Sequence, residues 1–427
     1  MYLQKEVFSL SCLVINGGNI LEGEIDVQGA KNAVLPILAA TILNGGKNVI
    51  YNCPELRDVK ITVEVLENLG CRVKKNGKTL VVESDNISGY TIPDELMRQM
   101  RSSIIFLGAI IARFKKAVVS MPGGCEIGNR PIDLHLKALR LLGVEISEAH
   151  GYINCTTDGL VGADIHLDFP SVGATENIML AACMADGVTT ISNAAKEPEI
   201  EDLQNFLNRM GAKISGGGSN YIRIEGVKRL YAVEHSIIPD RIAAATYLCA
   251  AAATGGGAVL RKVNSEHMGA MIAVLRDMGC RVYDEKNRII IASPKSRLKA
   301  VKRIVTMPYP GFPTDIQSPF TALCSIASGT SVFVENIFEN RYQHVEELRR
   351  MGADIKVDGR IAVVQGVERL SGAKVVAKEL RGGAALIVAG LAAEGTTTVE
   401  SISYIDRGYE NIENCLSSLG ANIKREI

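Results

Sequence analysis

Apolar and polar positions alternate along this chain in two recurring registers. In the first, an amphipathic helical stretch ends in Leu-Gly, Met-Gly or similar and runs directly into a short strand. The six instances are VLENLGCRV, ALRLLGVEI, FLNRMGAKI, VLRDMGCRV, ELRRMGADI and CLSSLGANI, with glycines at Gly70, Gly143, Gly211, Gly279, Gly352 and Gly420. A glycine just past a helix end adopts the positive φ that other residues resist, so each is read as a helix terminator. In the second register the helices are apolar all round and rich in alanine: Ala33 to Leu43, Ser102 to Arg113, Ala174 to Met184, Arg241 to Ala253, Pro319 to Ser328 and Ala384 to Leu391. Such a helix has no polar face to offer water and is expected to be buried. β-Branched strands often follow, as in Val188–Ile191, Ser331–Val334 and Thr396–Val399.

The glycine spacings are 73, 68, 68, 73 and 68 residues, so the first three glycines map onto the last three by one shift of 209. The chain therefore reads as a duplication, each half holding three similar units. The predicted fold class is α/β, with two inside-out, barrel-like lobes. Each lobe has three β-α-β-α-β-β units, helices inside and sheets outside. A helical solenoid is the alternative, and the strand signals argue against it. The strand Ile20 to Val27 precedes the first helical unit, and its sheet is expected in the second half. That arrangement makes 28–31 and 239–241 a two-stranded crossover. The lobes are then 31–239 and 1–30 plus 240–427, with a ligand cleft between them.

Composition narrows the chemistry. Apolar residues make up 47% of the 427, aromatics only 5%, and tryptophan is absent, so the cores are aliphatic. Lys plus Arg and Asp plus Glu are equal at 47, which gives no global field for nucleic acid. The ten cysteines form no CxxC pair and the six histidines no zinc spacing, so neither a metal nor a dithiol centre is expected. Most of these thiols are read as small buried groups in a reducing cytosol. The N-terminus reads as a first strand behind a short leader, not a signal peptide. No run reaches the ~18 apolar residues of a membrane span. Phosphate-loop, dinucleotide and nucleophile-elbow motifs are also missing.

Several cations stand in unusual places: Lys31 at the start of an apolar helix, Arg101 before Ser102-Ser103-Ile104, and Arg130, Arg341, Arg381 and Arg407 beside glycines or turns. A cation at a helix N-terminus opposes the helix dipole unless an anion joins it. Each alone reads as a structural ion pair; together they read as an anion-binding cleft. Cys125 lies in the Gly-rich loop Pro122-Gly-Gly-Cys-Glu-Ile-Gly-Asn-Arg130-Pro131, which suits a mobile lid or a plain turn. Asp315 reads locally as a cap before a buried helix.

The stretches GAKNAVLPILAATIL (29–43), MRSSI, PGGCEIGNRPIDLH, PSVGATENI, NAAKEPEIEDL, PDRIAAATYL, YPGFPTDIQ, IFENRYQHVEELRRMGA and YIDRGYENIE resemble the enolpyruvyl transferases that act on UDP-N-acetylglucosamine. The likeness runs from Leu13 onward. It implies transfer of an enolpyruvyl group from phosphoenolpyruvate to a 3′-hydroxyl, with no cofactor and no metal, at the first committed step of peptidoglycan synthesis. It implies Cys125 as proton donor and covalent partner, open to the epoxide fosfomycin, and Asp315 as base. Lys31, Asn32, Arg130, Arg341, Arg381 and Arg407 become phosphoenolpyruvate ligands by the same likeness. Arg101, Arg130, Pro131, Ile132, Asp133, Leu134, Ser171, Val172, Gly173, Asp315 and Ile337 become nucleotide-sugar ligands. Phe169 stands where some members carry a lysine, and Tyr404 where some carry a histidine. The 3-phosphoshikimate enzyme and a non-catalytic sugar-nucleotide-binding paralogue are the alternatives. Neither the thiol loop nor the intact Lys31, Cys125, Asp315 and Arg407 favours them.

Overall fold

The computed structural model describes residues 11–121 and 132–426. Among them, strands form six four-stranded sheets of one pattern. In the sheet containing Asp164–His166, that strand runs parallel to Val188–Ser192, which pairs antiparallel with Tyr221–Glu225, and Lys213–Ser215 closes the edge. The unit order is β-α-β-α-β-β: the helix between the two parallel strands, Val172–Ala182, is buried, and the next one, Pro198–Arg209, is amphipathic.

The six glycines all take positive φ, from 88° at Gly143 to 104° at Gly70. Each ends its helix and frees the chain to turn back as a strand, which is why the motif recurs once per unit.

The apolar helices lie inside. Of the 13 residues of Arg241–Ala253, 12 are buried, and Lys31–Ala40, Phe106–Phe114, Val172–Ala182, Thr314–Cys324 and Leu380–Ala392 are also largely buried. Two aliphatic clusters result. One gathers side chains from Ala30 to Ile237, the other from Leu13 to Val27 together with Ala243 to Ile423. Small residues let the helix backbones approach. A Cβ added at Gly108 would lie 2.3 Å from the Asn177 carbonyl oxygen of the facing helix. Asn177 ties the two helices together, its side chain accepting from the Gly108 N–H at 2.7 Å and donating to the Ile104 carbonyl at 3.0 Å.

The chain exchanges strands between the clusters. Glu24–Asp26 joins Gly257–Arg261 in parallel, and Glu234–Ser236 joins Lys47–Tyr51 in the same way. Between these exchanges the two chain segments cross. Gly29 and Pro239 form an antiparallel bridge, flanked by hydrogen bonds from Ala30 N–H to Ile238 and from Asp240 N–H to Gln28. The strand expected over Ile20 to Val27 is shorter, Glu24–Asp26, because Gly23 turns the chain at φ 145° just before it. The first strand among the described residues, Cys12–Asn16, sits between Thr396–Glu400 and Asn422–Glu426, which ties early and late parts of the chain into one sheet.

Several helix boundaries differ from the sequence reading: Ala384 gives way to Leu380 and Ser102 to Phe106, and the largest shift is at Pro319. The helix expected from Pro319 begins at Thr314, with Pro313 extended before it and Pro319 inside. Proline is favoured in a helix's first turn and disfavoured further in. A proline six residues in removes one helical hydrogen bond, and the surrounding core holds the helix regardless. Asp315 therefore sits in the first turn, beyond the cap, which is Pro313.

Replacing Gly108 with alanine forces its Cβ against the Asn177 backbone. The expected loss is about 1–3 kcal/mol of stability, read as a lower urea midpoint, while Gly77→Ala, where a Cβ meets nothing, should cost less than that despite its positive φ.

Candidate functional site

A cleft of ≈ 1410 Å³ is lined by side chains from both clusters' segments. Lys31 and Asn32 enter it from the start of Lys31–Ala40, Asp315 from Thr314–Cys324, Arg381 from Leu380–Ala392, and Arg407 from the 3-10 turn Ile402–Arg407. Five of the six apolar helices thus bring their N-terminal ends to one space, the other two being Val172–Ala182 and Arg241–Ala253.

The carboxylate of Asp315 is held by two guanidiniums. Arg341 donates to Oδ1 at 3.0 Å, and Arg381 to Oδ2 at 3.4 Å. Both arginines are almost wholly buried. Glu379 caps the Leu380–Ala392 helix through its side chain and lies 3.8 Å from Arg341. Burial opposes the charge on Arg381, but Tyr409, Asp315 and Asp240 outweigh it and hold that guanidinium firmly protonated. Some of the buried arginine nitrogens, Nε of Arg341 and Nε of Arg381 among them, have no protein partner in the structure, so the pair retains donor capacity.

A second cluster surrounds Asp58, in the first turn of Arg57–Asn68. Lys31 Nζ lies 2.7 Å from its Oδ2, and Arg407 Nε donates to Oδ1 at 2.9 Å. Burial pulls the Lys31 ammonium below the usual lysine range, and Asp58 partly restores it. Burial pushes Asp58 up, yet Lys31 and Arg407 together leave it below the usual carboxylate range.

The third group is acidic. Glu176, Glu197 and Glu199 line the cleft beside Arg241, whose Nε donates to Glu199 Oε1 at 3.1 Å. Burial, then Glu199 and Glu197, raise the Glu176 carboxyl well above the ordinary glutamate range. Burial likewise raises Glu197.

The segments read as nucleotide-sugar ligands lie along the same cleft. Ile132, Asp133 and Leu134 open the helix Asp133–Leu141; Ser171, Val172 and Gly173 open Val172–Ala182; Ile337 follows Glu335, whose carboxylate accepts the Ile337 N–H at 2.9 Å. Ser171 caps its helix, its Oγ accepting from Ala174 N–H at 3.3 Å. A Cβ at Gly173 would reach the His135 ring at 3.1 Å, so glycine keeps that helix entrance open. Phe169 and Tyr404 also line the cleft. Arg101 opens the 3-10 helix Arg101–Ile105. Cys125, Arg130 and Pro131 lie outside the described residues.

Sequence reading did not single out Asp58, Glu176, Glu197, Glu199 or Arg241. An acid in the first turn of an amphipathic helix looks like ordinary dipole compensation, which hid Asp58. Glu176 carried a signal, since it is the only charged residue in Ala174 to Met184. Among the described residues no group of His, Cys, Asp and Glu could hold a metal ion. Cys53, Cys71 and Cys183 are buried thiols, pushed up to about 12 by burial, which suits structural roles.

A carboxyl raised in the folded state stabilises below its unfolded value and loses that stability as pH rises through its folded value. Glu176→Gln removes this titration. The variant should melt higher relative to wild type at pH 8 than at pH 5, by ~1.4 kcal/mol for each unit by which folding raises the group, measured by calorimetry at both pH values.

Comparison with known proteins agrees with this geometry. The family EPSP synthase (3-phosphoshikimate 1-carboxyvinyltransferase) matches residues 15–416. A UDP-N-acetylglucosamine 1-carboxyvinyltransferase 2 of Caldanaerobacter subterraneus subsp. tengcongensis is 59% identical, covering 96% of this chain and 98% of its own. A UDP-N-acetylglucosamine 1-carboxyvinyltransferase of Geotalea uraniireducens is 49% identical, covering 97% and 99%. Among solved structures, the enolpyruvyl transferase NikO from Streptomyces tendae superposes with a TM-score of 0.88 at 24% identity, covering 97% of this chain and 99% of its own. An EPSP synthase from Acinetobacter baumannii superposes at 0.75 and 18% identity, covering 98% and 100%. The two structures share the inside-out α/β fold; the sequence relatives carry the finer kinship. With buried helices pointing cations into one cleft, and with identity of this level across nearly the whole length, the chain belongs to the enolpyruvyl transferase family, among the UDP-N-acetylglucosamine 1-carboxyvinyltransferases.

Proposed function

We propose that the protein transfers the enolpyruvyl group of phosphoenolpyruvate to the 3′-hydroxyl of UDP-N-acetylglucosamine and releases phosphate, the first committed step of peptidoglycan synthesis. The observation that carries this reading is the convergence of four cations on one cleft, Arg341 and Arg381 at the Asp315 carboxylate and Lys31 and Arg407 at the Asp58 carboxylate. The lobes we assign are 31–239 and 1–30 plus 240–427, with the reaction between them. The free thiols of the chain fit a reducing cytoplasm. No helix among the described residues is long and apolar enough to cross a membrane.

Phosphoenolpyruvate carries a carboxylate and a phosphate, and its enol carbon is a poor electrophile. Protonation at C3 makes C2 electron-poor. Cys125 is assigned as that acid, since an ordinary thiol of pKa ~8.5 is protonated near neutrality. The sugar oxygen then bonds to C2 as Asp315 takes the hydroxyl proton. Loss of a C3 proton and cleavage of the C2–O bond to phosphate restore the double bond, so the products are the enolpyruvyl ether and inorganic phosphate. Lys31, Arg407 and Arg130, with Arg341, Arg381 and Asn32, are assigned to the donor. Fixed cations offset its charge and the charge of the tetrahedral intermediate without reorganising.

The acceptor is assigned to Arg101, Arg130 to Leu134, Ser171 to Gly173, Asp315 and Ile337. The entrance of Val172–Ala182 suits a diphosphate, because its N–H groups face the cleft with the dipole favouring negative charge. Phe169 offers no cation there and leaves charge recognition to these amides and to the arginines.

Phosphate release from phosphoenolpyruvate should require UDP-N-acetylglucosamine; release with shikimate 3-phosphate instead would overturn the acceptor. Fosfomycin should add its mass to the Cys125 peptide, and an unmodified peptide under inactivating conditions would remove that thiol from the mechanism. Asp315→Asn should lower kcat by ~10²–10⁴ with the fold retained, as followed in the coupled phosphate assay.

A further inference from the structure

The cluster around Asp58 performs a task that the assigned ligands do not explain. Two cations meant for one small anion must sit side by side before it arrives, and like charges repel. In this structure they reach the cleft from different parts of the chain. Lys31 follows the crossover at Gly29, and Arg407 ends the turn Ile402–Arg407 between the buried helix Leu380–Ala392 and the last amphipathic helix. Asp58 belongs to neither. Its carboxylate receives Lys31 Nζ at 2.7 Å on Oδ2, Arg407 Nε at 2.9 Å on Oδ1, and Arg407 Nη2 at 3.3 Å on Oδ2. Both oxygens are occupied, and the side chain has no solvent exposure. Asp58 is not among the residues that line the cleft, whereas Lys31 and Arg407 are.

We propose that Asp58 is a positioning residue for the donor: it bridges the Lys31 ammonium and the Arg407 guanidinium across the two cores and stations them together for the phosphoenolpyruvate anion. This rests on the assignment of Lys31 and Arg407 to that donor. The three groups together carry one positive charge, so the cluster still attracts a polyanion after the carboxylate is counted. The bidentate contact fixes the plane of the guanidinium, which a single-point contact would not. The backbone supports the same geometry from behind, since the Lys31 N–H is 3.3 Å from Asp240 Oδ2 at the crossover.

Asp58 also keeps Lys31 charged. The ammonium is buried, and Arg407 and Arg381 face it as like charges; Asp58 is the group that opposes them through a direct contact. Without that carboxylate the amine loses its proton at lower pH, and donor binding fails earlier on the alkaline side.

The test uses the full-length chain with Asp58→Asn, which keeps shape and removes charge. The Michaelis constant for phosphoenolpyruvate should rise about 10- to 100-fold, as expected when a charge-assisted contact is lost. The constant for UDP-N-acetylglucosamine should stay within about twofold, because the side-chain partners of Asp58 among the described residues, Lys31 and Arg407, are both assigned to the donor. The alkaline limb of kcat/KM for phosphoenolpyruvate should move to lower pH. An unchanged donor constant and limb would overturn the proposal, as would equal rises in both constants with a lower melting temperature. If Asp58→Asn does not fold, Asp58→Glu keeps the charge and should raise the donor constant while leaving the alkaline limb in place; a limb displaced to lower pH would overturn it. Lys31→Ala and Arg407→Ala separate the two levels: if they raise the donor constant and Asp58→Asn does not, only the positioning role fails. If they leave it unchanged, the donor assignment fails first.

Discussion

Charge taken out of water has to meet opposite charge, and the floor of this cleft is organised by that constraint. Asp315 is gripped by Arg341 and Arg381, Asp58 by Lys31 and Arg407, and Glu199 by Arg241. Isolated burial of any one of these groups would be strongly unfavourable, and removing one member of such a pair strands the other. The pairs therefore fix one another. Each also brings together elements far apart in the chain: Asp58 with Arg407, Glu199 with Arg241, Asp315 with Arg381. The site and the closeness of the two cores are consequences of the same set of contacts.

The inside-out arrangement makes those contacts reachable. In most α/β proteins helices cover a central sheet and carry a polar face outward. Here the alanine-rich helices occupy the interior and the sheets take the solvent side. A buried helix can still expose its end, and five of the six begin at the cleft. Their positive dipole ends make an environment suited to anions at several points of one cavity. The strand exchange through Gly29 and Pro239 joins the cores by two chain crossings. Lys31 and Asp240, which follow those crossings, are 209 residues apart, the interval of the duplication. The first became a cleft cation and the second a helix cap that also accepts the Lys31 N–H, so equivalent positions diverged into complementary parts.

Much of the fold was legible because its signals are local. A glycine that ends a helix must take positive φ wherever the helix sits, and an all-apolar helix must be buried whatever covers it. Their repetition at a fixed interval revealed the duplicated halves and the unit order. Boundaries failed where local and tertiary preferences disagree, as at Pro319, where the core holds a helix that proline alone would not start. The cations Lys31, Arg341, Arg381 and Arg407 were also legible, because a charge beside a glycine or a turn, or at the head of an apolar helix, stands out in any context.

What the sequence determined by itself was the kind of element at each place, the repeat that orders the elements, and which side chains are out of keeping with their surroundings. The partners of those side chains were decided only in three dimensions. Asp315 reads as a helix cap, but its carboxylate turns to two arginines that follow it by 26 and 66 residues. Asp58 reads as a dipole-compensating acid, and the folded chain gives it an arginine 349 residues away. Pairing between buried charges depends on distance in space and on dielectric surroundings, and neither is written in the order of residues along one helix.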